Sequence, residues 1–187
     1  SNFSKAVIGL SGGIDSSLTA AIAVDAIGKQ NVIGISMPSS FSSEHSKKDA
    51  ASLAENLGIK FETIPINNIF TGLLGEMNSF FGGTESGLAE ENLQARIRGN
   101  ILMSVSNKIN ALVLSTGNKT ELALGYCTIY GDMCGALSVI SDINKLQVYA
   151  ISKWINDSAN VAIIPKSVID KRPSAELRDN QYDPFDY

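Results

Sequence analysis

The strongest constraint on the fold is a junction near the start of the chain, where the apolar run Lys5 to Leu10 (KAVIGL) meets the turn SGG and then the Ala-rich stretch DSSLTAAIAVDAIG, closed by Gly28. A short apolar run without polar alternation reads as a strand buried on both faces, and the helix formers after it continue to a glycine stop. Strand, glycine turn and helix open a βαβ unit. The pattern then repeats. Val32 to Met37 is a second apolar run ending at Pro38, and Ala50, Leu53, Ala54 and Leu57 recur at helical spacing until Gly58. Lys60 to Ile66 alternates as a strand, Phe70, Leu73, Leu74, Met77 and Phe81 mark one helix, and Gly82 to Gly87 is a loop. Leu88 to Lys108 is the longest helical candidate, with an apolar stripe of Leu93, Ile97, Ile101 and Val105. Ala111 to Ser115 reads as a fourth buried strand, Lys145 to Asp157 as a helix, and Val161 to Ile164 as an extended segment ending at Pro165. This alternation predicts an α/β fold, a doubly wound parallel sheet with helices on both faces and its ligand site at the carboxyl ends of the strands.

Bulk properties fit one globular domain over residues 1–187: 44% of residues are hydrophobic and 18% charged. A net charge of −4, with no run of Lys or Arg, argues against a nucleic-acid backbone as partner. No apolar stretch is long enough to span a bilayer, so no membrane partner is expected. Cys127 and Cys134 fit no common zinc spacing and read as buried small residues in a reduced, cytoplasmic setting. Trp154 and the group Phe70, Phe80 and Phe81 read as core or interface. The first strand begins almost at once and the chain ends QYDPFDY without a stop signal, so a longer parent chain is expected, with Ser1 and Asn2 as a cloning remnant.

The chemistry concentrates at SGGIDS, Ser11 to Ser16. Between a strand and a helix, free N–H groups and the positive end of the helix dipole converge on one point, which favours an anion. Gly12 and Gly13 permit close backbone approach, Ser11 and Ser16 supply hydroxyls, and Asp15 is a hard oxygen ligand suited to Mg²⁺ beside phosphates. A plain βα turn with an N-capping Asp or Ser is the competing reading. No GxxxxGK[ST] occurs, so transfer of a γ-phosphoryl group is unsupported. Lys145 opens a helix, where the dipole disfavours a cation, and this favours an anionic ligand over a capping role.

SGGIDS resembles the PP-loop of the ATP pyrophosphatases, the adenine nucleotide alpha hydrolase-like group that splits ATP into AMP and pyrophosphate while adenylating a substrate. Longer stretches narrow the resemblance: MPSSFSSEHS (Met37 to Ser46), LAEENLQARIRGN (Leu88 to Asn100), TGNKTELALGYCTIYGDMCG (Thr116 to Gly135) and RPSAEL (Arg172 to Leu177) are similar to the NAD synthetase family, in the family's order over nearly the whole chain. The resemblance implies an ATP-dependent ligase that amidates deamido-NAD with ammonia. It implies ATP contacts at Gly9, Leu10, Ser11, Gly12, Gly13, Ile14, Asp15, Ser16 and Thr116, with Arg98, Lys145 and Ser174 on the triphosphate. It further implies Mg²⁺ on Asp15 and Glu121, the deamido-NAD substrate near Asn92 and Glu121, and Asp132 beside the incoming ammonia. Asp15, Glu121, Asp132 and Lys145 are thus the expected catalytic set.

Without the family, Glu121 reads as a first-turn helix acid and Asp132 as a turn carboxylate. Arg96 and Arg98 point to nearly opposite sides of one helix, so one arginine at most reaches a given ligand. Ammonia-only members carry Lys and Asp where this chain has Ile129 and Ala136, so it resembles the members fused to an N-terminal glutaminase (nitrilase-like) domain. Family substrate contacts beyond Tyr187 and a homo-oligomer, typically a homodimer, are expected as well. Another AMP-forming PP-loop ligase and a catalytically incomplete ATP-binding domain are the alternatives.

Overall fold

A computed structural model describes residues 3–179 and 181–183, so Ser1, Asn2 and most of the terminal QYDPFDY fall outside or at the edge of the described residues. Its centre is a five-stranded parallel sheet in the order β3-β2-β1-β4-β5: β1 Ala6–Gly9, β2 Val32–Ser36, β3 Lys60–Thr63, β4 Leu112–Ser115 and β5 Leu137–Ser138. Among the described residues, eight α-helices accompany it: α1 Ile14–Ile27, α2 Glu44–Leu57, α3 Asn67–Glu76, α4 Asn78–Phe81, α5 Leu88–Ile109, α6 Lys119–Leu124, α7 Lys145–Ala159 and α8 Lys166–Asp170.

The alternation of side chains along β1 assigns the two faces. Ala6 and Ile8 enter a core with Leu18 of α1, Leu53 of α2, Val148 of α7 and Val168 of α8. Val7, one residue out of phase, enters a second core with Ile97 of α5 and Ile66, against which Phe70 of α3 packs. Both faces are therefore covered, as a parallel sheet requires. Gly9 continues β1 on the second face, where an added Cβ would lie 3.3 Å from Leu102 and from Met37.

Chain direction reverses its course across the sheet at β1, whose neighbours are β2 on one side and β4 on the other. Loops from β1 and β4 consequently leave in different directions and open a crevice between the carboxyl ends of the strands. The terminators act as expected: Gly28 closes α1 at φ 80° and Gly58 closes α2 at φ 64°. Ser43 caps α2 by accepting from Ser46 N.

The structure corrects several expectations. Val161 to Ile164 forms bends instead of an extended segment, because Asn156 satisfies both the N–H and the C=O of Ile164. The helix expected over Phe70 to Phe81 breaks at Met77 into α3 and α4, neither of which has a fully buried residue. Of the two readings of Phe80 and Trp154, core or interface, exposures of 84% and 66% remove the core one. Cys127 and Cys134 are partly exposed and line the crevice.

Candidate active site

A cleft of ≈ 340 Å³ lies at the carboxyl ends of β1, β2 and β4. The β1–α1 turn forms its floor. Ser11 Oγ accepts from Gly13 N at 3.1 Å and lies 3.2 Å from Ser16 Oγ, while Ser16 Oγ donates to Gly13 O at 3.1 Å. Gly13 is the N-cap of α1, and no side chain caps that helix. Helices α2, α6 and α7 differ, each being capped by its own Ser43, Asn118 or Asn144. The competing reading, in which Asp15 or a serine caps α1, therefore fails, and the first-turn amides of α1 face the cleft. Gly12, at φ 79°, turns toward α2, where a Cβ would stand 2.2 Å from Ser46 O.

Asp15 instead reaches across to the β4 side. Its Oδ1 accepts from Asn118 Nδ2 at 2.8 Å, and its Oδ2 pairs with Lys145 Nζ at 2.5 Å. Lys145 Nζ also lies 3.6 Å from Glu121 Oε1, with only 3% of its side chain exposed. Asn118, fully buried, ties the group together: its side chain accepts from Glu121 N while Glu121 Oε2 accepts from Asn118 N, a reciprocal capping box on α6. Two carboxylates from opposite sides of the switch point are thus held around one ammonium.

The electrostatics follow from this packing. Burial and the neighbouring Asp15 push the Glu121 carboxyl up to about 7, against the opposing pull of Lys145 and the Asn118 hydrogen bond. Burial pulls Lys145 down, but Asp15 and Glu121 more than offset it, and its ammonium is held above the ordinary lysine range. Arg98 is pushed down to about 10 by burial, with Glu176 opposing.

The other expected residues divide into two groups. Gly9, Leu10, Ser11, Gly13, Ile14, Asp15, Ser16, Arg98, Thr116, Glu121, Asp132, Lys145 and Ser174 all line the cleft. Gly12 and Asn92 do not: Gly12 turns toward Ser46 of α2, and Asn92 Oδ1 accepts from Thr128 Oγ1 at 2.8 Å and braces the loop that carries Asp132. Asp132 Oδ1 accepts from Thr128 N at 2.9 Å, and its enclosure by the loop pushes the carboxyl up against that hydrogen bond. The two arginines separate as their spacing predicts: Arg98 donates to Met37 O at the cleft, whereas the exposed Arg96 donates to Ile129 O. Sequence reasoning missed Asn118, although the N-x-x-E pattern in TGNKTE is a capping-box signal, and it missed Glu176, whose partners are 130 and 133 residues away.

A parallel α/β fold whose β1–α1 turn, with carboxylates, a lysine and an arginine, lines one cleft defines a class: an α/β domain of the PP-loop ATP pyrophosphatase type. Within that class, the NAD synthase family model matches residues 1–186, and the chain belongs to this family. It is 57% identical over 181 residues to the glutamine-dependent NAD(+) synthetase of Synechocystis sp., covering 97% of this chain and 32% of that protein. The glutamine-dependent NAD+ synthetase of Acinetobacter baumannii, solved in complex with ADP, superposes with a TM-score of 0.89 at 45% identity, over 93% of this chain and 33% of that one. The NMN synthetase of Francisella tularensis superposes with a TM-score of 0.87 at 31% identity, over 97% of this chain and 71% of that one. The chain thus spans about a third of the length of the curated relatives it matches. Among the described residues, no helix is long and apolar enough to cross a membrane.

Proposed function

We propose that this chain is the synthetase part of a glutamine-dependent NAD synthetase, joining ammonia to the nicotinate carboxylate of deamido-NAD at the expense of ATP. The observation that carries the reading is the cluster Asp15, Asn118, Glu121 and Lys145 beside the uncapped N-terminus of α1. ATP lies over Gly9 to Ser16 with its phosphates on the first-turn amides of α1, and Thr116 lines the nucleotide side. Asp15 and Glu121 fit Mg²⁺, since both offer hard carboxylate oxygens and Asn118 fixes their orientation. When bound there, Mg²⁺ neutralises phosphate charge and screens the two carboxylates from the nucleotide.

The remaining steps belong to the chain. Arg98, Lys145 and Ser174 stabilise the pyrophosphate as the substrate carboxylate attacks the α-phosphorus and AMP becomes the activated leaving group. Ammonia then attacks the acyl carbon, AMP departs, and Asp132 holds the incoming nitrogen and receives its surplus proton. Asn92 acts on the substrate side through Thr128 and the loop bearing Asp132. No side-chain nucleophile is needed, because positioning and charge stabilisation lower the barrier. In the parent protein a glutaminase domain supplies the ammonia, the active unit is a homo-oligomer, and the compartment is the reducing cytoplasm.

The test supplies ATP, deamido-NAD and ammonium, and measures AMP and NAD. Formation of both is expected; ATP binding without AMP supports the incomplete-domain alternative, and turnover with a different acceptor supports another AMP-forming ligase. Offering nicotinate mononucleotide in place of deamido-NAD separates this reading from an activity like that of the Francisella tularensis relative. With glutamine in place of ammonium, the isolated chain is expected to be inert.

A further inference from the structure

The segment 172–177 passes along one side of the cleft and carries Ser174, and one carboxylate fastens it to the body of the fold. Glu176 Oε2 accepts from Ser43 N at 3.0 Å, and Oε1 accepts from Ser43 Oγ and Ser46 Oγ, both at 2.8 Å. These three donors belong to the first turn of α2, the helix whose Ser46 carbonyl abuts Gly12 of the β1–α1 turn. Glu176 adopts φ 50°, a left-handed conformation that non-glycine residues rarely take and that carries a strain cost. Three hydrogen bonds to a carboxylate outweigh that cost. Within the segment, Glu176 N donates to Ser174 Oγ at 3.1 Å, and Ser174 Oγ donates to Gln181 O at 2.6 Å. The same hub extends backward: Lys171 Nζ donates to Ser46 Oγ at 3.1 Å and pairs with the buried Asp49 at 3.2 Å. The charge of Glu176 also favours the charged guanidinium of Arg98.

We propose that Glu176 is a positioning residue: its carboxylate latches the 172–177 segment to the start of α2, and the closed latch sets nucleotide affinity by holding Ser174 at the side of the cleft. This rests on the reading of the cleft as an ATP site. The latch has two independent halves, so it is tested from both. In the full chain, Glu176→Ala and the double variant Ser43→Ala, Ser46→Ala are each expected to raise the Kd for Mg·ATP about tenfold, with kcat at saturating ATP changed less than twofold. The combination of all three substitutions is expected to be no worse than either half, because both remove one shared contact. Glu176→Asp, which keeps the charge and tolerates positive φ better, is expected to restore part of the affinity.

Hydrogen exchange across residues 172–177 supplies a readout independent of nucleotide. Faster exchange in both halves of the latch, with Tm within a few degrees of the parent, supports the proposal. Additive losses, an unchanged Kd, or a Kd that tracks loss of Tm overturns it. Should the parent chain bind no ATP, the function proposed above fails, while exchange still decides the latch: equal exchange in parent and Glu176→Ala overturns it. If Glu176→Ala does not fold, the serine pair alone decides the outcome.

Discussion

Two regions of the molecule reverse the usual distribution of polarity. Around Lys145, a lysine with 3% of its side chain exposed stands between two carboxylates and a fully buried asparagine. Over α3 and α4, by contrast, Ile69 is 44%, Leu73 40% and Phe80 84% exposed, and no residue of either helix is fully buried. The contrast teaches that burial here follows function and position more than hydropathy. A cluster of charges stays inside because each member compensates another, and an apolar helix stays outside because α5 already covers that face of the sheet.

Removing the central cation is the most severe way to break the first region. Lys145→Ala leaves Asp15 and Glu121 facing each other in a confined site, and a loss of about 3 kcal/mol in unfolding free energy is expected, measured by urea denaturation without Mg²⁺. Loss of ATP affinity should accompany it; unchanged stability would show that the two carboxylates do not feel each other. Asp15→Asn is expected to cut AMP formation at least about a hundredfold, or ~2.7 kcal/mol, at saturating Mg²⁺. Near-normal turnover would remove Asp15 from the reaction.

A milder probe uses pH. The Glu121 carboxyl is raised in the folded chain from an ordinary value near 4.5 to about 7, so the folded state binds the extra proton between those limits. Its favourable contribution is fully present below 4.5 and disappears as pH rises through about 7. In chelator, stability should fall by roughly 1–3 kcal/mol between pH 5 and 8, and Glu121→Gln should flatten that slope. A slope identical in the variant would place the titration elsewhere. The smallest effect is expected in the second region: Phe80→Ser should change the unfolding free energy of the isolated chain by no more than about 0.5 kcal/mol. A larger loss at concentrations where the chain self-associates, absent on dilution, would identify this face as an oligomer contact.

Legibility in the sequence followed the range of the interactions. Strands β1 and β2, helices α1, α2, α5 and α7, and the glycine stops at Gly28 and Gly58 depend on neighbours within a few residues, and periodicity reveals such patterns. Strand β5 has two residues and exists only because β4 offers an edge. Val161 to Ile164 has strand-like composition, yet Asn156 captures its last backbone groups. At the site, SGGIDS marked the turn that lines the cleft, and the misplaced cation of Lys145 marked a residue that the fold pairs with carboxylates. That the partners include Asp15, 130 residues away, is a product of topology that local spacing does not encode. Asn92 was legible as part of the site's helix, but its bond to Thr128 was not.

The loop bearing Asp132 meets α5 through two glycines. A Cβ on Gly99 would lie 2.9 Å from the carbonyl oxygens of Tyr130 and Gly131, and one on Gly131 would lie 2.8 Å from Ala95 Cβ. Gly99 therefore lies against the backbone of the loop and Gly131 against the Ala95 and Thr128 side chains, with no room for a side chain at either glycine. Such a seam fixes the height of the loop above the helix, whereas Ile129 and Tyr130, 63% and 80% exposed, leave their side chains outside the packed contact. Diversification of what approaches the site from that side must then proceed by swapping exposed side chains at fixed stations, not by remodelling the loop itself.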